Sequence, residues 1–277
     1  MDILVTLNQN YLPQLKVMLT SLYLNQPKVR CHIYLLHRNI PENELADLQA
    51  GMDRLGYQLM PTLVNEKLFE GAPITKQYPQ EMYYRLLAAQ LLPQNLKRIL
   101  YLDPDILVIN PLEKLWDLEL GGYLFAAAAH TGKTELANNV NKLRLGTESN
   151  YFNSGVLLIN LERCRREIRP TEIFAYVKEN PAKLLLPDQD ILNALYSRRI
   201  LEIADSRWNY DARNFGNYLV RSHGEMDMAW VMQNTSILHF CGKAKPWKKH
   251  YTYRFGLLYR HYMRLTEQYL EVRQKRS

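Results

Sequence analysis

The apolar positions of this chain fall in short blocks whose period keeps changing. "ILVTL" (3–7) is apolar almost throughout, as a buried strand is. "NQNYLPQLKVMLTSLYLN" (8–25) switches to a helical period, with Leu12, Leu15, Met18, Leu19 and Leu22 on one face. "CHIYLL" (31–36) predicts a second strand. "PENELADLQAGMDRLG" (41–56) predicts a helix opened near Pro41 and stopped at Gly56. "YQLM" (57–60) is a third strand, and "PQEMYYRLLAAQLLP" (79–93) a helix ended by Pro93. The second half continues with strands in "YLFAAAAH" and "GVLLIN", a helix from about Leu161 to Lys178, a short helix in "DQDILNALY", and strands in "RILEIA" and "SILHF". Strands that alternate with helices and are apolar on both faces predict an α/β fold, a mainly parallel sheet covered on both sides. No linker, low-complexity segment or internal repeat interrupts it. The expected organisation is one domain over 1–250 and a tail over 251–277.

Composition narrows the class. With 47% apolar and 23% charged residues the chain is an ordinary globular protein with a sizeable core. "MDILVTLNQN" turns polar too early for a secretion signal, and no run approaches the ~18 apolar residues of a membrane span. Cys31, Cys164 and Cys241 match no metal or disulfide spacing and read as small core residues of a cytoplasmic protein.

The net charge of +7 changes the picture only at the C-terminus. From Lys243 to Ser277 there are ten Lys/Arg against two Asp/Glu, so the rest of the chain is nearly neutral. The same stretch carries Trp247, Tyr251, Tyr253, Phe255, Tyr259, Tyr262 and Tyr269, and from Phe255 onward it has a helical period. A basic aromatic helix suits the inner face of an anionic membrane, as a peripheral contact. The alternative is a helix packed on its own domain with a solvated basic side. No nucleic-acid-binding module accompanies the charge.

The candidate chemistry begins at "RILYLDPDILVIN" (98–110). Asp103 and Asp105, separated by Pro104, stand between two apolar runs, and a buried unpaired carboxylate costs several kcal/mol. A hard cation such as Mg²⁺ or Mn²⁺ offsets that cost; backbone N–H groups capped in a turn do so too, and the spacing alone leaves both open. Three further clusters lie at element ends. Asn153, Ser154 and Gly155 precede a strand; Asp188, Gln189 and Asp190 open a helix, where capping accounts for Asp188 alone; His239 follows a strand, with Gly242, Lys245 and Trp247 beyond it. A backbone N–H at Gly242 and the charge of Lys245 suit a phosphate.

"LYLDPDILV", "YFNSGVLLINL", "DQDIL" and "HFCGKAKPW", in that order, resemble the motifs of glycosyltransferase family 8, over roughly residues 2–250. That family includes bacterial lipopolysaccharide galactosyl- and glucosyltransferases and the glycogenins. The resemblance implies a GT-A fold, a Rossmann-like mainly parallel sheet flanked by helices. It also implies Mn²⁺- or Mg²⁺-dependent transfer of a sugar from a UDP-sugar with retention at the anomeric carbon. By matching motif, Asp103, Asp105 and His239 resemble the metal ligands, with Pro104 between the first two. Gly242 and Lys245 resemble the diphosphate contacts. Leu7, Asn8 and Asn10, with Tyr11 in the same loop, fall where the family holds uridine. Arg85 resembles an arginine that reaches the donor sugar and diphosphate, and Asn153, Asp188 and Gln189 the residues that grip the donor sugar. Two positions depart from the pattern: Asn8 stands where an Asp is common, and His130 where many relatives have an Asp near sugar and acceptor.

The implied activity is hexosyl transfer from UDP-glucose or UDP-galactose to a cell-envelope glycan or glycolipid. Gln189, a neutral amide, is a poor nucleophile, which favours a front-face route over a covalent intermediate on Asp188. Three rivals bound this reading. Haloacid-dehalogenase-type phosphohydrolases also place a D-x-D after an apolar strand, but normally with Thr or Val where Leu107 stands. A self-glucosylating initiator like glycogenin would carry sugar on a tyrosine. A non-catalytic module would bind nucleotide sugars and release no UDP.

Overall fold

The computed structural model describes residues 1–76, 79–129 and 135–270. Among the described residues ten strands form two sheets: β1 Asp2–Thr6, β2 His32–His37, β3 Gln58–Leu63, β4 Arg98–Leu102, β5 Ile106–Val108, β6 Phe125–Ala128, β7 Val156–Asn160, β8 Ile200–Ile203, β9 Tyr210–Asp211 and β10 Ile237–His239. The large sheet has the order β3-β2-β1-β4-β7-β6-β8, and the small one β5-β10-β9. In the large sheet β1 pairs in parallel with β2 and β4, β2 with β3, and β6 with β8, while β7 runs antiparallel to both its neighbours. The sheet is therefore mixed, with parallel pairing predominant. Its inner strands β1, β4, β6 and β7 are buried on both faces because separate clusters of apolar side chains cover each side, one around Tyr83, Tyr101 and Phe125 and the other around Leu15, Ile33 and Leu100, while the edge strand β3 is half exposed.

The chain leaves β1 towards β2 and β3 on one side and later returns to β4 on the other. The carboxyl ends of β1 and β4 thus flank a switch point, where an open α/β sheet forms a crevice. Antiparallel β7 brings its starting end to the same place, since Val156 pairs with Leu102 and Asp103 N–H donates to Gly155 O at 2.8 Å. The small sheet closes the crevice. His239 pairs with Ile106, and Phe240 N–H donates to Asp105 O at 3.0 Å.

Two predicted helices are broken. The helix over 79–93 is two short ones, Glu81–Tyr84 and Ala88–Leu91, because Leu87 leaves helical geometry (φ −102°, ψ 16°). The break buries Tyr84 and Leu86 on either side of Arg85. The helix from Leu161 to Lys178 is Leu161–Glu167 followed by Pro170–Glu179. Pro170 excludes its predecessor from the helical region, and Arg169 is extended (φ −113°, ψ 123°).

The C-terminal helix Gly256–Leu270 packs on the helices Leu12–Asn25 and Glu42–Leu55. Tyr251, Phe255 and Tyr259 join Tyr210, Tyr218 and Phe240 in a third core beneath the small sheet. The aromatic side of the basic tail is thus turned inward, leaving Arg254, Arg260 and Arg264 exposed. One contact of this helix yields a prediction. A Cβ on Gly51, mid-helix, would meet Leu270 at 3.7–3.9 Å, ordinary van der Waals contact. Gly51→Ala is expected to raise stability by about 1 kcal/mol, read as a higher urea midpoint, since it adds helix propensity without a clash.

Candidate active site

Asp103 leaves β4, Asp105 enters β5 and His239 ends β10. Ligand atoms of these three side chains lie within 4.8 Å of one another. Each carboxylate is divided between two tasks. Asp103 Oδ1 pairs with Arg85 Nη1 at 3.1 Å and accepts from Tyr101 OH, while Oδ2 lies 3.8 Å from His239 Nε2. Asp105 Oδ2 pairs with Lys245, and Oδ1 lies 3.2 Å from His239 Nε2. One oxygen of each acid therefore sits on a basic side chain, and the other aims at a common point beside the imidazole. Burial alone would raise the Asp105 carboxyl, but the facing His239 and Lys245 outweigh it and hold it well below the usual carboxylate range. Burial likewise opposes a charge on His239, yet Cys241 and Asp105 push its imidazole well above its ordinary value. The site thus asks for positive charge at Nε2. Two carboxylates and an imidazole are a donor set that can hold a divalent cation, so the residues present fit such an ion.

The second wall comes from β7 and the helix Pro187–Tyr196. Asn153 Nδ2 donates to Gln189 Oε1 at 3.1 Å, and Ser154 Oγ to Asp188 Oδ2 at 2.8 Å. Arg85 lies 4.5 Å above the Tyr101 ring, bridges Asp103 and Asp188 (3.1 Å each) and donates to Ser154 O at 3.2 Å. Ion pairing outweighs its burial and raises its pKa, so it stays charged. The expected capping by Asp188 is not observed. Asp190, fully buried, accepts from Leu185 N–H (2.6 Å) and Leu186 N–H (2.8 Å) at the helix start. It also takes a two-pronged bond from Arg144 (3.0 and 2.7 Å) and one from Tyr151 OH. Asp190→Ala, which strands these donors, is expected to destabilise the fold by about 3 kcal/mol in urea titration.

A cleft of about 460 Å³ opens between these walls, lined by Arg85, Asp103, Asp105, Asn153, Asp188 and Gln189 among others. A second hollow of about 530 Å³ continues from Asp103, Pro104 and Asp105 to Leu7, Asn8 and Tyr11. A third, of about 680 Å³, runs from Asn10 and Tyr11 to Gly242 and Lys245. Asn8 itself accepts from Asn10 N–H at 3.0 Å and fixes the loop after β1. Apart from His130, the residues anticipated from the motifs each border one of these three hollows, which adjoin at Arg85, Asp103, Asp105, Tyr11 and Gly242. Lys245 points at Asp105 and at Phe240 O (2.9 Å). His130 lies outside the described residues.

Three residues in or behind the walls of these hollows were given no individual role by the motifs. Gly155 leaves no room for a side chain: a Cβ would stand 2.3 Å from His239 Cε1 and 2.6 Å from Asp103 Oδ2. Its place in "NSG" before an apolar strand was the available signal. Asn209, fully buried, meets both His239 and Asn153. Arg213 is clamped by Asp211 (2.9 and 2.6 Å) against Gly242, whose φ of +79° a side chain rarely adopts. Asn209 and Arg213 had no sequence signal, since the short strand β9 alone brings them to the groove.

The family model for glycosyl transferase family 8 matches residues 2–250. The chain belongs to this family. It is 29% identical over 273 residues to general stress protein A of Bacillus subtilis (strain 168), covering 96% of this chain and 94% of that protein. Lipopolysaccharide 1,2-glucosyltransferase of Escherichia coli (strain K12) is 25% identical over 243 residues, covering 87% and 70%. Among solved structures, the galactosyltransferase LgtC in complex with donor and acceptor sugar analogs superposes with a TM-score of 0.79 at 25% identity, over 99% of this chain and 98% of that one. The fold is thus GT-A, and this family 8 member is a hexosyltransferase. Among the described residues no helix is long and apolar enough to cross a membrane.

Proposed function

We propose that the chain is a retaining, divalent-metal-dependent transferase that moves glucose or galactose from its UDP derivative to a hydroxyl of a cell-envelope glycan or glycolipid. The observation that carries this reading is the convergence of Asp103, Asp105 and His239 on one point, with their other polar atoms already engaged. The hexose and the acceptor class are supported by relatives named for lipopolysaccharide glucosyl and galactosyl transfer, and by the exposed arginines of the C-terminal helix.

Asp103, Asp105 and His239 would hold the ion. When bound, it supplies positive charge that stabilises the departing diphosphate. Arg85, kept charged between Asp103 and Asp188, orients donor oxygens near the scissile bond. Asn153 and Gln189 present amide groups to the sugar. Asp188 is engaged by Arg85 and Ser154, and Gln189 is neutral, so neither is a free nucleophile. The acceptor hydroxyl therefore enters on the side UDP leaves. Its oxygen bonds to the anomeric carbon, the bond from that carbon to the phosphate oxygen breaks, and the hydroxyl proton passes to that oxygen. Offering UDP-glucose, UDP-galactose and UDP-N-acetylglucosamine in turn should give slow release of UDP from one hexose donor. The release is expected to stop with EDTA and return with Mn²⁺. No UDP from any donor would make the chain a binding module.

A further inference from the structure

We propose that Asn209 is a positioning residue that, through hydrogen bonds of fixed sense, ties the donor-sugar side of the site to the imidazole of His239. The sense is set by backbone donors. Gly155 N–H donates to Asn153 Oδ1 at 2.9 Å, so the other end of that amide, Nδ2, is the group that donates to Gln189 Oε1. Ser154 N–H reaches the same Oε1 at 3.4 Å. Asn153 Oδ1 accepts a second bond, at 2.9 Å, from Asn209 Nδ2. The remaining Asn209 atom, Oδ1, then faces His239 Nδ1 at 2.8 Å, and only a protonated Nδ1 satisfies it. His239 Nε2 is thereby left towards Asp103 and Asp105. Asn209 is fully buried, and its own backbone N–H is held by Asp205 O at 3.0 Å, so the relay has little freedom to turn. An imidazole whose far nitrogen donates to a fixed acceptor is locked in ring orientation and tautomer, and loss of such a partner typically lowers metal affinity about 10–100-fold.

The metal part of this inference rests on the function proposed above; the Nδ1–H bond to Asn209 does not. In ¹⁵N-labelled protein without metal, His239 Nδ1–H should give a slowly exchanging signal. Asn209→Asp keeps an acceptor for that proton but loses the donor to Asn153. It should retain the signal and bind Mn²⁺, titrated by electron paramagnetic resonance, within about threefold of wild type, while kcat falls roughly tenfold or more. Asn209→Leu removes both and should lose the signal and about 10–100-fold in Mn²⁺ affinity. An unchanged signal with unchanged Mn²⁺ affinity in Asn209→Leu overturns the proposal. So does a loss of the signal in Asn209→Asp, the variant that carries the test if the leucine variant does not fold. Wild-type protein that shows the signal but takes up no Mn²⁺ overturns the metal reading and leaves Asn209 positioning His239.

Discussion

Asp103→Asn and Asp105→Asn are each expected to lower kcat for sugar transfer by about a thousandfold at saturating donor and metal. A bound ion contributes several kcal/mol of charge stabilisation, and each 1.36 kcal/mol is a factor of ten in rate. The amide keeps the shape of the carboxylate but removes the charge, and at both positions the charge has two tasks. Asp103→Asn leaves Arg85 balanced only by Asp188, so the guanidinium is drawn towards the sugar side. Asp105→Asn leaves Lys245 and His239 facing a neutral group, which adds repulsion where the proposed cation would sit. His239 and Lys245 favour the ionised form of Asp105, so its replacement should also lower the thermal midpoint, and the activity loss is read on protein shown to be folded. UDP release measured beside Mn²⁺ titration checks both statements. Full turnover by both variants with Mn²⁺ supplied would sink the assignment.

Much of this site was legible in the sequence because its residues stand at strand ends. A strand such as 98–102 announces itself by apolar side chains on both faces, and the polar residues that interrupt it, Asp103 and Asp105, must then lie at its exit. The same reasoning found Asn153 and His239. Strand direction was not legible. β7 is buried on both faces, so its pattern is the same whether it runs with or against β4, yet only the antiparallel run brings Asn153–Gly155 to Asp103. β9 is two residues long, too short for any period, and Asn209 and Arg213 arrive with it. In "DQDIL" two aspartates flank one glutamine. Which of them turns back to the chain depends on the path of the loop at Leu185 and Leu186, a tertiary fact; Asp190 accepts the two N–H groups ahead of the helix and Asp188 is left to Arg85. The tail shows the same limit in another form. Its period disclosed a helix with an aromatic face, but a period does not say what covers that face, and here the third core does.

The other large effect is expected from the smallest change. Gly155→Ala should lower kcat about a hundredfold and weaken Mn²⁺ binding, while the protein still folds. Gly155 has no positive φ, so the substitution fails for space and not for backbone conformation. The added Cβ would stand 2.3 Å from His239 Cε1, 2.6 Å from Asp103 Oδ2 and 3.1 Å from Asn153 Oδ1. The backbone cannot retreat easily, because Gly155 O accepts from Asp103 N–H and Gly155 N–H is held by Asn153. The His239 and Asp103 side chains must move instead, and a displacement of about 1 Å at a reacting centre costs on the order of 10² in rate. Overpacking of this kind costs about 1–3 kcal/mol of stability, which a thermal melt will register without loss of the fold. Gly216→Ala is the matched control: nothing lies within 4 Å of its Cβ position, and turnover should be unchanged. Wild-type kcat and Mn²⁺ affinity in Gly155→Ala would mean that His239 and Asp103 yield without consequence. The three side chains would then not need the close approach that the glycine permits.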